Sequence, residues 1–158
     1  MTFFLRGSTT TFRTLRASTT RSIRNSPTVS LSHRSFHSSL RISAIYSNAN
    51  TETVEKVIKE SQNRVVLVDF YADWCQPCRL FSPILEKVAS EPNTSANGLP
   101  VDLVKVDTES EQGQQLAIKH QASISSLPTV YVYKDGEAVT HFVGALPEPH
   151  LKQVLDRL

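Results

Sequence analysis

Residues 65–78 read VVLVDFYADWCQPC, and they contain the clearest structural pattern of the chain. It opens with an apolar, β-branched run that is long enough for a buried strand. It ends on Cys75 and Cys78, the only two cysteines among the 158 residues. Beyond Cys75, apolar side chains recur at helical intervals as far as Val88. The sequence therefore predicts a strand that leads directly into a helix, with both thiols in the first helical turn.

The spacing of the two cysteines favours redox chemistry. Positions i and i+3 of a helix share one face, so Cys75 and Cys78 are close enough to alternate between dithiol and disulfide. The free amides and the positive end of the helix dipole stabilise a thiolate there and lower its pKa. A structural disulfide and half of a zinc site are the other interpretations. Zinc needs about four ligands, but there is no second cysteine pair, and His120, His141 and His150 show no paired spacing. We expect no metal.

The remaining periodicity predicts one α/β domain from residue 44 to residue 158. The predicted strands are 44–46, 65–71, 101–107, 129–133 and 138–143. The first predicted helix follows a cap within 48–51, and the other three cover 75–90, 109–120 and 148–158. Residues 91–100 are predicted to form a loop, and 134–137 the turn of a hairpin. The order β-α-β-α-β-α-β-β-α implies a mixed sheet with helices on both faces.

Several blocks of the sequence resemble those of thioredoxins, in the same order along the chain. VDFYADWCQPC at 68–78 is similar to the active-site block VDFWAxWCGPC of that family. The other matching blocks are Pro83, VKVD at 104–107, LPT at 127–129, KDG at 134–136 and VGA at 143–145. The resemblance implies a thioredoxin fold, a central mixed β-sheet flanked by helices on both faces, for residues 44–158. It also implies a protein-disulfide reductase that binds no cofactor and receives electrons from NADPH through a thioredoxin reductase.

Thiol exchange assigns a role to each cysteine. Cys75, expected to be the more exposed thiol, attacks a client disulfide as a thiolate, and Cys78 then attacks Cys75 and releases the reduced client. Asp69 interrupts the apolar strand, so its carboxyl is expected in the interior below the thiols, where burial raises its pKa. It is thus a candidate base for Cys78. The matching Asp of thioredoxins has this role and lies near a lysine, which Lys105 matches. Alternatively, Asp69 is a salt-bridged carboxylate of the core.

The resemblance also places a substrate surface around the thiols. Pro128 matches the cis-proline that faces the active-site disulfide in thioredoxins, although an ordinary trans turn is the alternative. Gln76 replaces the usual glycine between the cysteines, a change that affects redox potential and the choice of partner. The residues that match the docking surface are Trp74, Gln76, Pro77, Leu127, Val143, Gly144 and Ala145.

The charge of the chain is divided unevenly along its length. Residues 1–50 contain seven arginines, no lysine and no acidic residue, whereas residues 51–158 carry ten basic and fifteen acidic side chains. Residues 1–43, rich in Arg, Ser and Thr, have the composition of a presequence for the mitochondrial matrix, with plastid import as an alternative. Processing ahead of Phe36 and then at Ala44 is expected. A disordered basic arm for nucleic acid or acidic lipid is the other interpretation.

Three function classes follow. The first is a disulfide reductase, a monomer that interacts with thioredoxin reductase and with clients such as peroxiredoxins, and not with nucleic acid or membranes. The second is a disulfide isomerase or oxidase. The third is a thioredoxin-fold binding module whose thiols matter little, which the presence of both cysteines, Asp69 and Pro128 disfavours.

Overall fold

The computed structural model describes residues 43–92, 98–122 and 125–158. Residues 1–42, which hold almost all of the predicted presequence, lie outside the described part, as do residues 93–97 of the predicted loop. The described elements are β1 (Ile45–Tyr46), α1 (Thr51–Lys59), β2 (Val65–Tyr71), α2 (Gln76–Ser90), β3 (Val101–Asp107), α3 (Glu111–Lys119), β4 (Thr129–Lys134), β5 (Glu137–Val143) and α4 (Glu148–Asp156). Their order is the predicted one.

The five strands form one mixed sheet in the order β1-β3-β2-β4-β5, with β2 at its centre. β2 runs parallel to β3 and antiparallel to β4, and β5 pairs antiparallel with β4. The first six of the seven residues of β2 are buried, which agrees with its continuous apolar sequence. The carboxyl end of β2 therefore meets the amino end of β4 and the carboxyl end of β5 at one edge of the sheet.

Alternate residues of β2 pack against different helices, because successive side chains of a strand point to opposite faces. Val66 and Val68 lie in an apolar cluster with residues of α1 and α3. Val65 and Leu67 lie in a second cluster with residues of α2 and α4. Asp69 has the same parity as Val65 and Leu67. The strand thus places its one acidic side chain on the α2 side of the sheet. The two clusters confirm the predicted helices on both faces.

The last two helices are shorter than predicted, and a capping contact explains one of the differences. α3 begins at Glu111 and not at residue 109, because Ser110 is its N-cap. The Ser110 Oγ atom accepts a hydrogen bond from the backbone N–H of Gly113 (3.0 Å), which satisfies a donor of the first turn. α4 ends at Asp156, two residues before the predicted end.

The hairpin between β4 and β5 is tighter than predicted. Lys134 and Glu137 are paired strand residues, so only Asp135 and Gly136 form the turn. Both turn residues have positive φ, 53° and 88°, which suits the right-handed twist of a two-residue hairpin. Between Val132 and Tyr133 the register then shifts by one residue, and this shifted register sets Val143, at the end of β5, opposite Thr129, at the start of β4.

Candidate active site

Cys75 and Cys78 lie where β2 gives way to α2. Cys75 is the N-cap of α2 in an extended conformation, and Pro77 lies in the first turn, where its missing N–H costs no helical hydrogen bond. The two cysteines form a disulfide, and their Cα atoms are 5.3 Å apart. The Cys75 sulfur also accepts a hydrogen bond from the backbone N–H of Cys78 (3.2 Å). A helix amide and the positive end of α2 thus favour negative charge on this sulfur after reduction.

The two cysteines are almost equally buried, with 3% and 4% of their surfaces exposed. The prediction that Cys75 is the more exposed thiol is therefore wrong for the disulfide form. The physical reason is that the Cys75 sulfur turns back toward the amide of Cys78, while Tyr71 and Leu127 pack against the pair. The exposed fractions do not distinguish the two cysteines, but their positions do: Cys75 is the N-cap of α2, whereas Cys78 lies within the first turn.

A cis peptide bond joins Leu127 to Pro128 immediately before β4. The carbonyl oxygen of Pro128 accepts a hydrogen bond from the backbone N–H of Gly144 (2.7 Å). Gly144 has a φ of +90°, a conformation that side-chain-bearing residues rarely adopt. Leu127 packs against the cluster that holds both cysteines. The loop before β4 and the segment after β5 are therefore fixed to each other beside the disulfide.

Asp69 lies in β2 with 2% of its surface exposed. Its Oδ1 atom is buried and has no hydrogen-bond partner in the protein. Burial raises the pKa of the Asp69 carboxyl from its ordinary value of 3.8 to about 7, although Lys105 lowers it and Glu86 raises it further. This carboxyl can therefore exchange a proton near neutral pH, which supports the predicted base and disfavours a fully ion-paired core carboxylate.

Lys105 is the direct neighbour of Asp69 across the β2–β3 ladder. Its ammonium group, however, contacts α2: Nζ lies 2.9 Å from Glu86 Oε1 and 2.5 Å from Ser82 Oγ. The sequence thus predicted the proximity of Lys105 to Asp69 correctly, and the lysine does lower the pKa of that carboxyl. The hydrogen bonds of its ammonium group go to other partners.

The comparisons with known proteins agree with this geometry. The model of the Thioredoxin family matches residues 45–157. The chain belongs to the thioredoxin family. It is 38% identical to the thioredoxin of Staphylococcus haemolyticus over 96 residues, which are 61% of this chain and 84% of that protein. Against the thioredoxin of Staphylococcus aureus strain Mu50 the identity is 36% over the same share of both chains.

Solved thioredoxins also share the fold. The thioredoxin of Fasciola hepatica superposes with a TM-score of 0.58 and 34% identity, over 71% of this chain and 97% of that one. A thioredoxin of Malassezia sympodialis gives a TM-score of 0.54 and 28% identity, over 72% and 87%. The mixed five-stranded sheet with its four described helices is thus a thioredoxin fold, and the chain is a disulfide oxidoreductase with a Cys-x-x-Cys pair.

The predicted docking residues of this thioredoxin belong to the segment around the disulfide, the cis-proline loop and the end of β5. Trp74, 61% exposed, precedes the disulfide, and Gln76 and Pro77 follow its first sulfur on the exposed side of α2. Val143 is 57% exposed at the end of β5, beside the cis-proline loop. Leu127 packs against the two cysteines, and Gly144 is hydrogen-bonded to Pro128 of the cis-proline loop. The docking surface as a whole, which includes Ala145, stays a prediction.

Sequence reasoning missed two sets of residues at the site. Ser82 and Glu86 were not predicted to contact Lys105, although their spacing of four puts them on one face of α2. The second set fixes the loop before the first cysteine. Glu109 Oε2 accepts a hydrogen bond from the backbone N–H of Asp73 (2.8 Å), and Arg79 donates from Nε to the Asp73 carbonyl oxygen (2.8 Å).

In the described ranges, no group of three or more His, Cys, Asp and Glu side chains is arranged to hold a metal ion. Nor is any helix of these ranges long and apolar enough to cross a membrane. The sulfur atoms of Cys75 and Cys78 are instead bonded to each other, which is the arrangement that a redox pair needs.

Proposed function

We propose that this thioredoxin reduces protein disulfides by dithiol–disulfide exchange through its Cys75-Gln76-Pro77-Cys78 motif. The observation that carries the proposal is the place of the disulfide. It lies at the amino end of α2, where Leu127 of the cis Leu127–Pro128 bond packs against it, and α2 packs on the side of the sheet that holds Asp69. Nucleophile, docking surface and proton acceptor are therefore available at one edge of the sheet.

In the first step, the Cys75 thiolate attacks one sulfur of a client disulfide. A bond forms between the Cys75 sulfur and that client sulfur, the client disulfide breaks, and the second client sulfur leaves as a thiolate. The backbone N–H of Cys78 and the amino end of α2 stabilise the attacking thiolate. The exposed rim at Trp74 and Val143 receives the client chain.

In the second step, Cys78 loses its proton and attacks the Cys75 sulfur. The Cys75–Cys78 disulfide forms, and the client's remaining sulfur leaves and takes up a proton. The client has gained two electrons and this protein has lost two. The Asp69 carboxyl, with a pKa of about 7, accepts the Cys78 proton, directly or through a water molecule. Lys105 affects the charge on that carboxyl from the neighbouring strand.

The oxidised pair must be reduced again by another protein. The family implies a thioredoxin reductase that supplies electrons from NADPH, and clients such as peroxiredoxins. The test combines the full chain with a thioredoxin reductase, NADPH and insulin. Reductase-dependent NADPH oxidation and insulin precipitation are expected, and both should disappear when either cysteine is replaced. NADPH oxidation that continues without Cys75 would contradict the proposal.

A disulfide isomerase or oxidase is the second candidate, because Gln76 is exposed between the cysteines where most thioredoxins have glycine. The measured redox potential separates the two. A value near the roughly −270 mV that is usual for thioredoxin supports the reductase, and a value near −180 mV or above supports the isomerase or oxidase.

The place of action is proposed to be the mitochondrial matrix, on the basis of the arginine-rich, acid-free residues 1–43. A fluorescent protein fused after residue 43 should be imported into mitochondria. Import into plastids would support the alternative address, and a fusion that stays in the cytosol would contradict both.

A further inference from the structure

The ammonium group of Lys105 is held away from its neighbour Asp69. The two residues are paired across β2 and β3, and their side chains leave the same face of the sheet. A lysine so close to a buried carboxyl is expected to form an ion pair with it. The Asp69 Oδ1 atom nevertheless has no hydrogen-bond partner, and the ammonium group of Lys105 contacts α2.

Two side chains of α2 hold this ammonium group. Glu86 Oε1 accepts a hydrogen bond from Lys105 Nζ at 2.9 Å, and Ser82 Oγ lies 2.5 Å from the same atom. The two residues lie one turn apart on the face of α2 that meets β3. On a third side, the ring of Tyr71 lies 5.3 Å from Nζ, within reach of a cation–π interaction. Lys105 thus has a complete set of partners without Asp69.

The ionisation of the Asp69 carboxyl depends on few charged neighbours. Among the described residues, Lys105 and Glu86 are the charged groups that act on the Asp69 carboxyl. From β4, the residue in register is the uncharged Val130. From α2, Cys78 is held in the disulfide and does not titrate, and α4 packs on this face with leucines. Glu86 is 45% exposed, so it can be replaced without opening the core.

We propose that Glu86, assisted by Ser82, is a positioning residue that draws the ammonium group of Lys105 toward α2 and thereby controls the ionisation of Asp69. The inference rests on the proposed function, in which Asp69 accepts the proton of Cys78. With Glu86 in place, the buried carboxyl lacks a close counter-ion and keeps its proton to higher pH. Without Glu86, the ammonium group is free to approach Asp69 and stabilise its charged form.

The experiment follows the Asp69 carboxyl directly. The full chain is labelled with carboxyl-13C aspartate and titrated in the oxidised form, where neither cysteine titrates. Replacing Asp69 by Asn assigns its signal. Glu86→Gln is expected to lower the midpoint of this titration by on the order of half a unit to one unit. Ser82→Ala should act in the same direction by less, and Lys105→Gln should raise the midpoint.

A matched control removes a lysine-bound carboxylate elsewhere. Glu55 Oε1 lies 2.6 Å from Lys119 Nζ, and Glu55 belongs to α1, on the opposite face of the sheet. Glu55→Gln removes the same charge but should leave the Asp69 midpoint unchanged. A shift as large as that of Glu86→Gln would show that net charge alone is responsible and would overturn the inference.

A double variant distinguishes positioning from direct repulsion. If Glu86 acts by holding Lys105, then Glu86→Gln should shift the Asp69 midpoint by less than half as much when Lys105 is already Gln. An equal shift in both backgrounds would mean that the Glu86 charge acts on Asp69 by itself, and the positioning role would be lost. An unchanged midpoint in Glu86→Gln also overturns the inference.

The pH profile of the reductase activity separates this inference from the proposed function. When both hold, the acid limb of the insulin-reduction rate moves to lower pH in Glu86→Gln, together with the Asp69 midpoint. If the midpoint moves and the rate profile does not, the control of Asp69 by Glu86 stands. In that case the role of Asp69 as the proton acceptor is wrong.

Discussion

Two aspartates are buried in the described part of this thioredoxin, and they differ in what surrounds them. Asp102, near the start of β3, is 4% exposed and accepts hydrogen bonds from the backbone N–H of Ala44 (2.7 Å) and from Arg64 Nη2 (2.5 Å). Asp69, near the end of β2, is 2% exposed and its Oδ1 has no partner. Because β2 and β3 are parallel, the paired carboxylate lies toward the end of the sheet away from the thiols, and the unpaired one lies toward them.

The difference in partners fits a structural role for Asp102 and the proposed role of Asp69 as proton acceptor. A buried ion that loses its partner typically costs about 3–5 kcal/mol, so Asp102 is expected to be structural. An acid whose pKa burial raises to about 7 destabilises the fold when it ionises, and the proposed role as proton acceptor would explain the presence of Asp69. The two sites should therefore respond oppositely to the same substitution.

The largest effect is expected from removing Cys78, the thiol that Asp69 is proposed to deprotonate. Cys78→Ser leaves Cys75 able to attack a client but removes the group that resolves the mixed disulfide. Turnover in the insulin assay should fall to background, and covalent complexes with clients should accumulate on non-reducing gels. Cys75→Ser is the matched control and should trap none. If Cys75→Ser trapped clients and Cys78→Ser did not, the two roles would be reversed.

Asp69→Asn is expected to have the next largest effect. Turnover should fall by on the order of tenfold to a hundredfold near pH 7, because Cys78 loses its proton acceptor. The free energy of unfolding should rise, since a neutral amide replaces a carboxyl whose charged form burial disfavours. Rapid-mixing measurements should place the defect in release of the reduced client and not in the attack by Cys75. A less stable protein with unchanged turnover would make Asp69 a structural residue.

Asp69→Asn also tests the direction in which the stability of the protein changes with pH. The folded-state pKa of Asp69, about 7, lies above its ordinary value of 3.8. The folded protein therefore binds more protons, and this group's contribution to stability is full below about pH 4 and is lost as the pH rises through about 7. The difference of about three units corresponds to at most roughly 4 kcal/mol. Oxidised Asp69→Asn should lack this loss between pH 4 and pH 8 in urea unfolding.

Much of the fold was predictable because it depends on local sequence pattern. The apolar run at 65–71 specifies a central strand by itself, and the change of period at Cys75 specifies where the helix starts. Asp69 was found as a candidate because a single acid in such a run has few structural explanations. The same local logic failed at the start of α3, where the capping side chain of Ser110 decided the boundary.

The contacts of Lys105 could not be predicted in the same way. Its register beside Asp69 depends on the pairing of β2 with β3, and the family resemblance supplied that. Its hydrogen bonds to Ser82 and Glu86 depend on how α2 lies across β3. Both partners are about twenty residues away from Lys105 along the chain. No periodicity in the sequence encodes that angle, so the ion pair of Glu86 with Lys105 was found only in three dimensions.

Asp102→Asn is the matched change at the other aspartate, with a smaller and opposite effect. The amide cannot form the charge-assisted hydrogen bond that the carboxylate accepts from Arg64, so the free energy of unfolding should fall by roughly 1–3 kcal/mol. Turnover should stay that of the unaltered protein, because the site lies toward the far end of the sheet. If this variant lost turnover without losing stability, the division between a structural and a chemical aspartate would be wrong.

The smallest effect is expected from shortening the chain to begin at Ala44, the proposed mature start. The backbone nitrogen of Ala44 already lies 2.7 Å from Asp102 Oδ1. Beginning the chain there turns that amide into a charged amino group and the hydrogen bond into an ion pair. Stability should therefore be unchanged or rise by up to about 1 kcal/mol, in line with partly exposed ion pairs. Turnover should be that of the full chain, because no predicted site residue is removed.

A chain that begins at Ser47 is the control for this last change. It loses the bond from Ala44 to Asp102 and also β1, the edge strand that pairs Ile45 with Leu103. Its midpoint of thermal unfolding should fall by several degrees, since about 1 kcal/mol corresponds to roughly 4–8 °C in a domain of this size.

The Ala44 chain should also lose its added stability when Asp102 is replaced by Asn, because the amino group then has no carboxylate partner. A chain from Ala44 that melts several degrees lower than the full protein would show that residues 1–43 contribute to the fold, and the proposed boundary would have to move toward the amino terminus.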